Sequence, residues 1–180
     1  MNLLVGSTGF IGGHVVEYLF QQGEISKGVF RKGSHLKIMD MNGVMSLEVD
    51  LMDHHSLHEA VEGCDTVYSM ASPMPFGETG FEETNTKGLS NLLDAAQEAK
   101  VKAIVHLSTL EVYGFRAGTV DDATTPSPAP GYQRSKLESE RLVLEFGRKN
   151  GSTKAVVIRA ARAVGSRDPT LAGPLLRMIE

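Results

Sequence analysis

The chain has 180 residues, 41% of them hydrophobic and 22% charged, with no Trp and a formal net charge of −4. That length suits one sizeable hydrophobic core and is too short for two full domains. The charge gives no reason to expect nucleic acid or an anionic membrane as partner, and no apolar run approaches the ~20 residues of a membrane span.

Met1-Asn2 leads straight into a strand, so no signal peptide is expected ahead of it. The single cysteine, Cys64, allows no internal disulfide, which agrees with a reducing cytoplasm. It sits in Glu62-Gly63-Cys64-Asp65, a helix-to-strand turn, and reads as a small buried thiol rather than a nucleophile.

Leu3-Leu4-Val5 forms a short apolar strand, Gly6-Ser7-Thr8-Gly9 a tight turn, and Ile11, Val15, Tyr18 and Leu19 then recur at helical spacing. A strand, a glycine turn and a helix N-terminus make a phosphate cradle. The first N–H groups of the helix point outward, its dipole favours an anion, and glycine leaves room for a pyrophosphate to reach the backbone. The spacing Gly6-x-x-Gly9-x-x-Gly12 is a variant of the dinucleotide fingerprint G-x-G-x-x-G, and a glycine-rich turn can also be only a turn. Read as a cofactor site, it offers Gly6, Thr8, Gly9, Phe10, Ile11 and Gly12.

Gly23 ends the first helix, and a weak strand, Gly28-Val29-Phe30, closes in Arg31-Lys32-Gly33-Ser34. In a dinucleotide fold this strand end meets the adenosine ribose. An Asp or Glu there would take both ribose hydroxyls and repel a 2′-phosphate. Arg31 stands here instead, nineteen residues after Gly12, with Lys32 and Ser34 beside it. That favours NADP(H), with NAD the other possibility; the alternative is a solvated basic turn.

Val44 to Val49 reads as the third strand and ends in Asp50-Leu51. Asp50 is placed to accept from an adenine amino group, although Asp is also a common helix-start residue. The next helix carries His54 and His58 four apart, a spacing that can bind zinc, but no further ligands cluster nearby, so no metal is expected. Asp65 to Ala71 is the fourth strand, with Ala71 at its tip a candidate cofactor contact. Ser72-Pro73-Met74-Pro75-Phe76-Gly77 breaks it at the carboxyl edge of the sheet, where Met74 and Phe76 would touch ligand or cap the core. Leu89, Leu92, Leu93 and Ala96 mark an amphipathic helix, and Ala103 to Leu107 the fifth strand, ending in Ser108-Thr109.

A Pro-, Ser- and Thr-rich stretch from Phe115 to Gly131 leads to a helix starting near Tyr132, with one apolar stripe of Leu137 and Leu144 and another of Leu142 and Phe146. One stripe should pack on the sheet. Lys154 to Ile158 is a sixth strand. Six strands alternating with helices predict an α/β, doubly wound parallel sheet of Rossmann type.

Tyr132 and Lys136 lie four apart on one helix face. A phenol has a reference pKa near ~10, and both an adjacent ammonium and an oxidised nicotinamide ring favour its phenolate. Such a Tyr can exchange a proton with a substrate hydroxyl or ketone during hydride transfer. Lys136 would also donate to the nicotinamide ribose, and Thr109 offers a hydroxyl to the reacting oxygen.

Taken together, Gly6-Ser7-Thr8-Gly9-Phe10-Ile11-Gly12, Asp50-Leu51, Asn85-Thr86-Lys87-Gly88, Ser108-Thr109-Leu110-Glu111-Val112-Tyr113-Gly114, Tyr132-Gln133-Arg134-Ser135-Lys136 and the Arg159 segment resemble the cofactor-binding part of an extended short-chain dehydrogenase/reductase. That group includes nucleotide-sugar epimerases and dehydratases, hydroxysteroid dehydrogenases and dihydroflavonol-type reductases. The resemblance implies Tyr132 as acid/base, Lys136 as its partner and Thr109 as third member of a catalytic triad, acting on a small-molecule secondary alcohol or ketone. It also implies a possible homodimer through the helices around Leu89 and Leu142.

Three positions depart from the family pattern. Val5 stands where Thr is usual, Leu110 replaces the acidic residue that sugar dehydratases carry beside a Glu like Glu111, and Ala160 replaces a Pro after Arg159. Residues 1–168 are expected to be the cofactor domain and 169–180 the start of a truncated substrate-binding region, near which an apolar patch would be exposed. A module that binds NADP as a sensor or scaffold without catalysis is the competing reading.

Overall fold

The computed structural model describes residues 1–34, 36–73, 79–115, 118–121 and 123–168. Met74, Phe76 and the segment 169–180 lie outside the described residues. Six strands, β1 (Asn2–Val5), β2 (Ser26–Phe30), β3 (Met45–Glu48), β4 (Thr66–Ser69), β5 (Ala103–Thr109) and β6 (Lys154–Ala160), form one parallel sheet in the order β3-β2-β1-β4-β5-β6. The expected doubly wound architecture is therefore present.

Covering both faces are α1 (Phe10–Gln21), α2 (Lys37–Met41), α3 (His54–Val61), α4 (Leu89–Glu98) and α5 (Tyr132–Lys149). A parallel sheet needs this double cover, and β1, buried along its whole length, is apolar on both faces for that reason. The core joins Leu3, Val5 and Val67 of the central strands to Leu57, Leu92, Val143 and Phe146 from the helices.

Short-range chemistry sets the helix ends. The Asp53 carboxylate caps α3 by accepting from the His55 N–H at 3.1 Å. At its other end, the nearly buried Lys27 of β2 donates to the carbonyls of Ala60 and Glu62 at 3.3 and 2.7 Å, a cation placed at a helix C-terminus. The five-residue α2 carries no periodic signal and was not expected; it forms because Met39 is fully buried.

In α5, Val143 and Phe146 are buried and Leu142 packs against them, whereas Leu144 is 45% exposed. The Leu142–Phe146 stripe is thus the one on the sheet. Leu89 is buried too. Cys64 is a buried free thiol whose pKa is raised by burial, as its turn suggested. Among the described residues no helix is long and apolar enough to cross a membrane.

Candidate active site

The chain runs outward from β1 through β2 to β3, then returns to β4 beside β1 and continues to β5 and β6. This reversal leaves a crevice outside the carboxyl ends of β1 and β4, where open α/β sheets bind ligands. Its larger part is a groove of about 670 Å³ lined by Gly6, Thr8 and Gly9 of the glycine turn, Arg31, Lys32 and Ser34 after β2, Asp50 and Leu51 after β3, and Ala71 after β4. A smaller part of about 160 Å³ is lined by Ile11, Thr109, Tyr132, Lys136 and the segment Ala160–Ala163. Met70 and Ser72 line both, so the two adjoin just after β4.

The glycines have separate tasks. Gly6 has φ +94, and a Cβ on it would lie 2.6 Å from the Ala71 nitrogen. A Cβ on Gly12 would collide with the Gly6 carbonyl. These two let strand, turn and helix approach. Gly9 is exposed, and a Cβ there would meet only the Gly6 oxygen at 3.3 Å, so it would project into the space a ligand enters. The N-terminus of α1 has no side-chain cap and no acid in its first turn. That combination of open cradle and uncapped N–H groups fits a pyrophosphate. Ser7 plays no part in it; its hydroxyl is buried and donates to the Val29 carbonyl at 2.9 Å.

At the adenosine end Arg31 and Lys32 are exposed on the groove. Glu48, the last residue of β3, also lines it. This carboxylate opposite a basic turn was missed from the sequence, because only the strand pairing of Phe30 with Glu48 brings them to one end. Asp50 accepts from the Met52 N–H at 2.9 Å, which fixes the turn and leaves its other oxygen on the groove.

In the smaller cavity, Thr109 Oγ1 accepts from the Glu111 N–H at 3.2 Å, so its own proton is left to donate. The first turn of α5 is held by a relay from a π-helical turn, Glu83–Gly88. Asn85 Nδ2 donates to Ser135 Oγ at 3.0 Å, and Ser135 Oγ donates to the Tyr132 carbonyl at 2.8 Å. Asn85 is 2% exposed and its Oδ1 has no partner among the described residues. Phe81 packs edge-on against the Tyr132 ring at 5.7 Å.

Lys136 is 3% exposed, and its Nζ donates to the Leu107 carbonyl at 2.6 Å. Burial lowers its pKa to about 8, with Glu140 acting in the opposite direction. The expected lowering of the Tyr132 pKa is not present. Burial raises it first, the Glu111 carboxylate adds to that, and Lys136 is not among the groups that set it. The reason is positional: the ammonium is drawn onto β5.

Beneath the site, Ser108 Oγ donates to Glu140, and Arg159 grips the same carboxylate with contacts of 2.6 to 3.1 Å. Arg159 also donates to the Tyr113 hydroxyl and lies over its ring. The crevice wall after β6 is tied to α1 by Arg167, which pairs with Glu17 at 2.8 Å and with His14 Nδ1 at 3.0 Å. The helix histidines do not gather. His55 faces Glu59, His58 faces Glu98 at 3.1 Å, and no group of three potential metal ligands occurs among the described residues. After β6, Val164 is 58% exposed.

Comparison with known proteins places this geometry. The sequence matches the NAD dependent epimerase/dehydratase family over residues 2–180. It is 30% identical over 181 residues to sterol demethylase protein B of Methylococcus capsulatus, covering 95% of this chain and 54% of that protein. To the bovine sterol-4-alpha-carboxylate 3-dehydrogenase, decarboxylating, it is 30% identical over 176 residues, covering 93% and 48%. The chain thus spans about half the length of the curated relatives it matches. A short-chain dehydrogenase/reductase superfamily protein of Agrobacterium tumefaciens, solved with bound NAD, superposes with a TM-score of 0.82 at 26% identity, over 97% of this chain and 55% of that one. With that family model matching nearly the whole chain, the chain belongs to the NAD dependent epimerase/dehydratase family, within the extended short-chain dehydrogenase/reductases.

Proposed function

We propose that this chain is the cofactor-binding and proton-transfer half of an NADP(H)-preferring oxidoreductase or epimerase that acts at a secondary alcohol or ketone. The observation that carries the reading is that Thr109, Tyr132 and Lys136 line one end of the crevice whose other end is the glycine turn. A bound nicotinamide dinucleotide supplies the hydride donor or acceptor. The uncapped start of α1 would hold its pyrophosphate, with Gly6, Gly9 and Gly12 giving backbone access. Arg31 and Lys32 favour a 2′-phosphate; Glu48 on the same groove opposes it, and two cations outweigh one carboxylate.

Tyr132 is neutral at pH 7, since burial and Glu111 hold its pKa above the ordinary value. It therefore serves first as the acid, giving its proton to a ketone oxygen, with Thr109 donating to the same oxygen. Lys136 Nζ spends one N–H on the Leu107 carbonyl and lines the same cavity as Tyr132, from where it would donate to ribose hydroxyls. Leu110, where a sugar dehydratase carries an acid, is 42% exposed and gives Glu111 no acidic neighbour, which disfavours dehydration.

A module that binds the dinucleotide without catalysis is the second reading. The test is paired. Fluorescence titration with NADPH and NADH reads cofactor choice, and turnover of a panel of secondary alcohols, hydroxysteroids and nucleotide sugars reads chemistry. Equal affinity for both cofactors would remove the NADP preference. Binding without turnover of any panel member would favour the module. A homodimer through α4 and α5, the helices around Leu89 and Leu142, belongs to the same reading, and a monomer by light scattering would remove it. A reducing cytoplasm suits the buried free thiol.

A further inference from the structure

Residues 161–167 after β6 are all exposed, so burial does not hold this stretch in place. The sheet fixes one end of it, where Ala160 pairs with Thr109 of β5. Side chains fix the other end on α1. Arg167 forks onto Glu17, with Nη1 donating to Oε1 and Nη2 to Oε2, each at 2.8 Å. The second N–H of Nη2 goes to His14 Nδ1 at 3.0 Å, and His14 Nε2 lies 2.9 Å from the Ser166 carbonyl. Phe10 packs edge-on against the His14 ring, and a Cβ on Gly165 would lie 3.8 Å from the Phe10 ring.

Only one form of the imidazole satisfies these contacts. A guanidinium can only donate, so Nδ1 holds a lone pair; a carbonyl can only accept, so Nε2 carries the hydrogen. Glu17 Oε2, 3.4 Å from the same Nδ1, is already bonded to Arg167. The backbone adds a second sign that the arginine is there for its side chain. The Asp168 N–H donates to the Gly165 carbonyl at 3.1 Å, closing a turn with Arg167 at its third position. Arg167 has φ +69, a left-handed conformation that glycine or asparagine adopts with less strain. Such strain persists where surrounding contacts over-determine it, and the guanidinium makes three bonds here.

Between the two anchors, Ala161, Arg162 and Ala163 wall the cavity that Thr109, Tyr132 and Lys136 line, and Ile11 of α1 lines it as well. A short span pinned at both ends has little freedom. In the proposed function, hydride passes to or from the carbon whose oxygen Tyr132 serves, so the nicotinamide end of the dinucleotide must reach this cavity. We propose, resting on that reading, that Arg167 is a positioning residue: its clasp on Glu17 and His14 holds the wall after β6 against α1 and so sets the width of the cavity that receives the nicotinamide.

The experiment compares the full chain with Arg167→Asn, which suits the left-handed turn and removes the guanidinium. Two probes are titrated, NADPH and 2′-phospho-ADP-ribose, the second lacking only the nicotinamide. Arg167→Asn should weaken NADPH by roughly tenfold and leave 2′-phospho-ADP-ribose within about two-fold. Equal losses, or none, would overturn the proposal. Glu17→Ala should show the same selective loss, and the double variant should lose no more than Arg167→Asn alone, since both act through one contact. Additive losses contradict the clasp. Two readouts need no dinucleotide. At pH 8 the ¹⁵N signals of the His14 ring should report the Nε2–H form, and an Nδ1–H form would overturn the proposal. The ¹⁵N order parameters of residues 161–166 should fall in Arg167→Asn, from near the rigid value of about 0.85 toward about 0.6, while α1 stays rigid; unchanged values would overturn it. A wild-type chain that binds neither probe would sink the proposed function, and the ring form and order parameters would then decide the clasp.

Discussion

Lys136 Nζ lies 2.6 Å from the main-chain oxygen of Leu107, two residues before the Thr109 hydroxyl that ends β5. One helix residue is thereby fastened to the strand that presents another member of the site. The distance between acid and hydroxyl donor is set by backbone rather than by two flexible side chains, which is the arrangement that preorganised chemistry needs.

The first expectation concerns Tyr132. Tyr132→Phe should reduce turnover by about 10²–10⁴-fold, the range for loss of a positioned acid or base. NADPH affinity, read by fluorescence, should stay within about two-fold, since the phenol is not among the groups proposed to hold the pyrophosphate or the 2′-phosphate. Turnover that persists in this variant would remove Tyr132 from the mechanism.

Glu111→Gln should lower the apparent pKa of Tyr132, because the Glu111 charge adds to burial in raising it. The pH at which the tyrosinate absorbance of the Tyr132 ring develops, taken as the difference from Tyr132→Phe, measures this. A shift upward, or none, contradicts the placement of that carboxylate.

The glycines should separate. Gly12→Ala forces a Cβ into the Gly6 carbonyl and should cost the fold, seen as a lower urea midpoint. Gly9→Ala meets only one oxygen at 3.3 Å and should fold, yet weaken dinucleotide binding at least tenfold. Arg31→Ala should likewise fold and should lose affinity for NADPH by roughly ten- to a hundredfold relative to NADH, the worth of a hydrogen bond to a charged group.

Arg159→Met leaves the Glu140 carboxylate, 2% exposed, without its cation. Removing one partner of a buried pair costs about 3–5 kcal/mol; the partial exposure of Arg159 places this pair at or below the lower end. Urea unfolding of the variant, beside Arg159→Met/Glu140→Gln, should show the double variant recovering part of the loss.

Acid sensitivity should come in two windows. His106 is lowered to about 3 in the fold, so the unfolded chain binds more protons between its ordinary ~6.5 and that value, and stability falls as pH is lowered across that interval. Asp65 is held at about 2 by Lys102 and the N-terminal ammonium, and its contribution, present above ~4, is lost as pH drops toward 2. His106→Gln should flatten the upper window and leave the lower one. Lys136 acts in the opposite range: its lowered pKa means stability rises from pH 8 toward ~10.4, and Lys136→Met should abolish that rise.

Much of this was legible in the residues themselves. Glycine spacing, the Val- and Leu-rich strands and the three-to-four periodicity of Leu89 to Ala96 are local signals, since they follow from which backbone shapes and faces a residue can occupy. The alternation of strand and helix then leaves one topology, and Thr109, Tyr132 and Lys136 could be named because each stands at a strand tip or helix start within it.

What was not legible depends on partners distant in the chain. Glu48 on the same groove as Arg31, Ser135 held by Asn85, and Glu140 closed in by Arg159 and Ser108 join separate elements, and no local pattern records them. The direction of the Tyr132 shift belongs here too, because desolvation is a property of the packed site and not of the Tyr-x-x-x-Lys spacing. By itself, then, the sequence determined the doubly wound sheet, the glycine turn after β1 and the helix that starts at Tyr132, all of which rest on local sterics and periodicity. Only the tertiary structure decided that Lys136 is tied to β5 beside His106, and that the Tyr132 phenol is held above its ordinary pKa, since burial and charge are set by what the folded chain brings against them.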